Sequence, residues 1–425
     1  MSKVSFLSFP FGVAMCSLFA STVSAATPTL TVGTCLGASP YTTISAAVAA
    51  AASGATVQVC PGTYPEQVTI TKSLNLIGLL SGTADNPVIQ SPAGGVVTNS
   101  LKIRTSDPQA VQVLIVKAAN VNISNITVDG SNNGITGCAP DLVGIKYALS
   151  SGTVNHVAVK NQALSASLNG CQSGEGIIAE TASSVSGSSV VTVSNSSVHG
   201  YQKNGIVGDG PNTKLTVTLN FVSGQGPTTG AAENGIEFIN GVSGTIVGNI
   251  VLDHVFSPAT ATASGILIYS AQSITVSGNS IGNSQNPIVT VTDASLPNPG
   301  NPKGLADKTI ITANVITNTA SDGIDACSNS NTITNNLITN TGNSGIHLDS
   351  TCTGTGEKNT VIGNTVNESC AGVLQGATPN TISGNTTFNV QSTVLAGDTC
   401  TPLRAGLLAI VGGSQSAAHV APAPY

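Results

Sequence analysis

Short runs of Val, Ile and Thr recur along most of the chain, separated by Gly, Asn and Ser. Within each run apolar and polar residues alternate, which is the period of a strand with one buried face. One pattern repeats: a Gly followed by a branched apolar residue that opens such a run. It occurs at Gly144-Ile145, Gly176-Ile177, Gly205-Ile206, Gly235-Ile236, Gly265-Ile266, Gly323-Ile324, Gly345-Ile346 and Gly372-Val373. The steps are 32, 29, 30, 30, 58, 22 and 27 residues. The 58-residue step reads as two coils of 29, with Pro287-Ile288 near the missing start.

A second pattern falls between these runs: β-forming residues, a small residue, Asn, then more β-formers. Asn279, Asn314, Asn336, Asn364 and Asn385 occupy its centre. Asn tolerates the left-handed backbone of a tight turn, and its amide can bond to the next Asn in a stack. Each repeat therefore holds two or three short strands joined by turns. The repeats contain no helical pattern of useful length. Such strands at this period suit a solenoid in which each coil stacks on its neighbour, a parallel β-helix of roughly ten or eleven coils. Val and Ile would fill the interior, with the Asn series stacked at one turn.

The start of the repeats carries a cap. Thr42/Thr43 can N-cap a helix from Ile44 to Ser53, stopped by Gly54. Ile44, Ala47, Val48 and Ala51 form one apolar stripe on it. Strands over 56–59, 67–71 and 73–77 follow, with the turn Pro61-Gly-Thr-Tyr-Pro-Glu66 between the first two.

The stretch Thr43–Gly78 resembles the opening of right-handed parallel β-helix proteins of the pectin-lyase-like superfamily, and the later Gly-Ile and Asn repeats resemble its coils. The resemblance implies an all-β right-handed solenoid with a short N-terminal capping helix. It is weak for function, because the group includes lyases, hydrolases, esterases, epimerases and non-catalytic surface proteins.

Composition narrows the setting. Only 8% of the 425 residues are charged, against roughly 25% in an ordinary soluble protein. Lys3, the apolar stretch 4–23 and Val23-Ser24-Ala25 read as a signal peptide over residues 1–25. The β-helix domain is expected over 27–400 and a C-terminal tail over 401–425. Without residues 1–25 the chain carries 12 basic and 19 acidic residues, a net charge of −7. That argues against a nucleic-acid partner, which requires a basic surface. After residue 25, no apolar run approaches the roughly 20 residues of a membrane helix. A secreted or periplasmic monomer is expected.

Eight Cys remain beyond Cys16, an even count that favours disulfides in an exported chain. Among roughly one hundred connectivities, neighbour pairing is the expectation: 35–60, 138–171, 327–352 and 370–400. No closely spaced Cys or Cys/His pair suggests a soft-metal site.

The chemistries of the resembled superfamily match only in fragments. Gly62-Thr63-Tyr64-Pro65-Glu66 is similar to the first pectinesterase motif, but the catalytic Asp and Gln motifs have no counterpart. A pectate-lyase-like site would need an Arg base and Ca²⁺ held by clustered Asp. Arg104 and Arg404, the two Arg present, are expected to accompany no acidic cluster. Ser321-Asp322-Gly323-Ile324-Asp325 resembles the first Asp motif of polygalacturonases, whose other motifs are missing. The copper-maturation β-helix proteins of the periplasm are a further resemblance, but Met and clustered His are lacking after residue 25.

Register supplies candidate residues. If the Ile after each Gly points inward, residues one and three further on point outward. Those columns hold Lys146, Glu180, Asp209, Glu237, Tyr269, Asp325, His347 and Asp349. The loops before these strands vary in length, as at 162–174, 225–233, 256–264 and 293–307, and would wall a groove. Asp325 and His347 fall in one column on adjacent coils, about 5 Å apart. Asp322, Asp325, His347 and Asp349 are thus the candidate catalytic group, open beside short turns, for acid/base hydrolysis or for a hard cation such as Ca²⁺. Lys146, Glu180, Asp209, Glu237 and an exposed Tyr269 are candidate substrate contacts. Any solenoid also places charge on an outward column, so a structural protein without chemistry is the alternative. An acidic groove favours a neutral or mildly charged extracellular glycan over a polyanion.

Overall fold

The structure is a computed structural model that describes Met1 and residues 28–80 and 87–401. The expected signal peptide after Met1 and nearly all of the expected tail lie outside the described residues.

Three long sheets run the length of the molecule. Sheet A has 13 strands, from Thr29–Val32 to Thr381–Ser383; sheet B has 12, from Thr63–Pro65 to Thr386–Phe388. Sheet C has 13, from Val68–Ile70 to Ser392–Ala396, and every strand pair is parallel except Ser100–Leu101 against Pro108–Val116. Each full coil visits A, B and C in turn, as in Gly152–Asn155, Ala158–Lys160 and Glu175–Glu180. The chain is a right-handed parallel β-helix, with one or two more coils than the repeat count suggests.

The Ile column of sheet C confirms the inward register. Ile145, Ile177, Ile206, Ile236, Ile266, Ile288, Ile324 and Ile346 pair coil to coil and lie in one continuous core. The 58-residue step does not divide evenly. Ile266 pairs with Ile288 and Ile288 with Ile324, so the two coils span 22 and 36 residues, the longer one holding the loop after Val291. Gly precedes every Ile of the column but Ile288, which follows Pro287, because the neighbouring coil and an interior side chain come too close there for a Cβ. A Cβ on Gly235 would lie 2.5 Å from the Gly265 carbonyl oxygen and 2.8 Å from a Val251 methyl.

Asn279, Asn314, Asn336 and Asn364 each donate from backbone N–H and side-chain Nδ2 to the Oδ1 of the next Asn, at 2.9–3.0 Å. Asn385 ends the row, and Asn220 and Asn249 extend it backwards. Each Nδ2 also donates to a carbonyl one coil earlier, as from Asn314 to Val276 at 3.1 Å. The ladder Asn residues do not themselves take the left-handed conformation. The residue before each does, as at Gly278, Ala313, Asn335, Gly363 and Gly384.

The helix is shorter than expected, Ile44–Ala50, with Ala51 as its C-cap. The Thr43 hydroxyl accepts from Ala46 N–H at 3.3 Å. Glu66 completes the N-terminus by accepting from the N–H of Ile44 at 2.7 Å and of Ser45 at 2.9 Å. Glu66 of the pectinesterase-like turn is therefore structural, because it satisfies orphan helix donors. The disulfides are the four expected, 35–60, 138–171, 327–352 and 370–400.

Candidate functional site

All eight predicted outward residues lie on the face of sheet C turned away from the core, but none is exposed. Lys146, Glu180, Asp209, Glu237, Tyr269, Asp325, His347 and Asp349 are each at most 6% accessible. The expectation of an open, solvated face is therefore corrected. Between the charged ends the face carries an apolar cluster that includes Val207, Ile239, Leu267, Tyr269, Val289 and Val291, against which Leu296 of the long loop packs. Charges on such a face must find partners, because an unpaired buried ion is costly.

At the N-terminal end they do. Lys146 Nζ lies 2.5 Å from Glu180 and donates to the Leu101 carbonyl at 2.9 Å and to Gln109 Oε1. Ile103 N–H donates to Glu180 at 2.5 Å, and Lys102 lies 3.9 Å from Glu175. Burial, then the Glu180 charge, pushes the Asp209 carboxyl up to about 6, although Arg104 opposes the shift. Burial and Glu175 likewise push Asp141 up to about 7. Arg104 thus does act on an acidic cluster, contrary to the expectation. Asp209 lies about a hundred positions away in sequence and is brought close only by the coils. Tyr269 is not available to stack on a sugar: its hydroxyl donates to Asp293 at 2.5 Å.

At the C-terminal end Asp322, Asp325, His347 and Asp349 do come together. Asp325 and His347 are register partners. His347 Nδ1 lies 3.5 Å from Asp322, and Nε2 lies 3.4 Å from Asp398, which the sequence reading missed. Burial alone would lower the His347 pKa. The hydrogen bond and charge of Asp322, with the charges of Asp325 and Asp349, outweigh it and raise the imidazole to about 10. Asp322 is pushed up by burial, but His347 and the donors of Ser344 bring it below the ordinary range. Asp349 is raised, first by burial and then by Asp325, while it accepts from Thr351 N–H at 2.6 Å. Donor atoms of Asp325, His347 and Asp349 lie within 4.8 Å of one another. An imidazolium offers no lone pair to a metal, so for a hard cation the group supplies carboxylate oxygens alone.

A different part of the surface is concave. The loops that lead into successive sheet C strands enclose two adjoining clefts, of about 620 and 410 Å³, which share Ala163, Leu164 and Gln225. Asn132, Asn133, Asn161 and Ser165 line the first; Asn169, Gln202, Thr228 and Glu233 are among those lining the second. Glu233 is the single charged-type residue in either lining. Two of the variable loops singled out in the sequence, 162–174 and 225–233, thus do form walls. The cleft they enclose lies beside sheet C.

Residues 229–387 match the family described as a right-handed β-helix region. No curated protein matches the chain. Among solved structures, the lacto-N-biosidase of glycoside hydrolase family 136 from Eubacterium ramulus is similar at 11% identity and a TM-score of 0.46, over 81% of this chain and 62% of that one. The Azotobacter vinelandii mannuronan C-5 epimerase AlgE4 A-module is similar at 14% and 0.44, over 83% and 91%. The DFA-IIIase of Arthrobacter chlorophenolicus, without its lid, is similar at 13% and 0.42, over 81% of each. The chain spans less than two thirds of the length of the lacto-N-biosidase. The matched segment 229–387 and the three sheets that continue on either side of it identify one continuous right-handed parallel β-helix.

Proposed function

We propose that the chain is an extracytoplasmic carbohydrate-binding β-helix that takes an uncharged glycan in the two adjoining clefts beside sheet C. The observation that carries this reading is their lining: amides and hydroxyls over apolar patches such as Leu164 and Pro227, with one ionisable side chain. Hydroxyl-rich ligands need many neutral donors and acceptors, and pockets of several hundred Å³ suit a few sugar units. Four disulfides support an oxidising compartment. No helix among the described residues is long and apolar enough to cross a membrane. A glycan array probed with the folded protein tests the reading; binding confined to polyanions, or no binding, rejects it in favour of a structural protein.

A second reading places bond cleavage at Asp325 and Asp349. An oxygen of each lies no more than 4.8 Å from one of the other, too close for the wider spacing of an inverting glycosidase pair and on the side of a retaining one, and the raised Asp349 suits the acid role. Reducing-sugar and unsaturated-product assays, with and without Ca²⁺, test it. Turnover that survives Asp325→Asn excludes this centre.

A further inference from the structure

Glu233 is fully buried at the edge of the 410 Å³ cleft, just before the strand Asn234–Ile239. Its Oε2 accepts from the Gln225 N–H at 2.8 Å, while Oε1 has no hydrogen-bond partner. A buried polar oxygen left alone is costly, and here it belongs to a residue that lines a cleft. The surroundings are built to hold the carboxyl in place. A Cβ on Gly224 would lie 2.5 Å from Oε2 and 3.0 Å from the His254 ring, so only Gly admits this approach. Gln225 is fixed in turn by donating Nε2 to the Tyr201 carbonyl at 2.7 Å.

We infer that Glu233 recognises the cleft's ligand by donating a hydrogen bond from Oε1 to an acceptor oxygen of an uncharged, hydroxyl-rich molecule. This rests on the glycan-binding reading above and adds the group that sets its pH range. Burial pushes Glu233 up to about 8, against the bonds from Gln225 and the charge of Lys203, so the carboxyl carries its proton at neutral pH. Lys203 Nζ donates to the Ala232 carbonyl at 3.1 Å, and burial lowers its pKa although Glu237 and Glu175 oppose this. His254 is pressed down to about 3 by burial. Tyr201, hydrogen-bonded to His254, is raised well above its usual value by burial, Glu233 and Asp253. Neither His254 nor Tyr201 changes charge between pH 6 and 9. Once Glu233 ionises, Oε1 loses its proton and repels an acceptor.

The test is calorimetric titration of the full chain with short neutral gluco-, manno-, galacto- and fructo-oligosaccharides at about pH 6 and about pH 9.5. At least one is expected to bind at the lower pH and to weaken about tenfold or more at the higher, a loss of about 1.4 kcal/mol or more. Glu233→Gln, which keeps a donor and cannot ionise, is expected to flatten the profile, so that its affinity is the same at both pH values. Binding that is pH-independent, or a pH loss that persists in Glu233→Gln and so points to Lys203, overturns the role of Glu233 while the glycan reading stands. Absence of binding by every oligosaccharide at both pH values overturns both. If Glu233→Gln fails to fold, carbon-13 NMR titration of the wild-type carboxyl decides: ligand must raise its pKa, and an unchanged value overturns the inference.

Discussion

His347 stands opposite Asp325 on the neighbouring coil, yet its two ring nitrogens face Asp322 and Asp398, at 3.5 and 3.4 Å. Held this way the ring is a cationic brace. A proton bound as firmly as a pKa of about 10 implies is not readily exchanged with a substrate at neutral pH.

The brace makes a pH prediction. The folded pKa of about 10 lies above the roughly 6.5 of an unfolded His. Stability from this proton is therefore complete below about pH 6.5 and lost as pH rises through 10. His347→Ala should cost about 3 kcal/mol near neutral pH by leaving buried carboxylates unpaired. Urea titrations at several pH values would show wild type losing stability between pH 7 and 10.5 and the variant lacking that component. Parallel profiles would refute the assignment.

Asn314→Ala should destabilise by about 3 kcal/mol, since it removes an acceptor for Asn279 and a donor to both Asn336 and the Val276 carbonyl. Asn318→Ala, in the outer row with Asn283 and Asn340, should cost only about 1 kcal/mol, most of it from the left-handed φ of +55° that Ala tolerates less well than Asn. Equal losses in denaturant unfolding would mean that burial of the ladder does not set its worth.

Gly235→Ala should be among the most damaging single substitutions, by about 3 kcal/mol or more, because its methyl meets the Gly265 carbonyl, Val251 and His254 together. Gly226→Ala, with open space around it but a left-handed φ of +84°, should cost only about 1 kcal/mol. Thermal melts would rank the two, and a reversed order would contradict the packing described.

The eight Cys from Cys35 to Cys400 should resist alkylation in denatured, unreduced protein. Mass spectrometry that finds several of them labelled would contradict the pairing. Loss of the 138–171 bridge should cost about 3 kcal/mol.

The coil was legible because it rests on local steric demands that repeat. Only Gly fits before Ile177 or Ile236, and only a short amide fits the turn at Asn314, so sequence spacing carries the register directly. What failed was exposure. Asp209 and Glu237 look like solvated charges when read one coil at a time, because their environment is made by residues from distant repeats. Arg104 meets the field of Asp209, and Asp398 reaches His347, through contacts that no local pattern encodes. Glu233 escaped notice for the same reason: its unpartnered oxygen and the close approach of Gly224 appear only when the loop is folded.

Each of the four bridges ties points on consecutive coils, with separations of 25, 33, 25 and 30 residues, about one circuit of the chain. A protease that nicks a loop inside one of these circuits, such as 139–170, therefore releases no fragment. The severed ends stay stapled through sulfur and clamped by the neighbouring strands. Cleavage would be invisible to size-exclusion chromatography and would appear on a gel only after reduction. In the bridged circuits the molecule behaves toward digestion like chain mail, in which one cut link does not open the sheet.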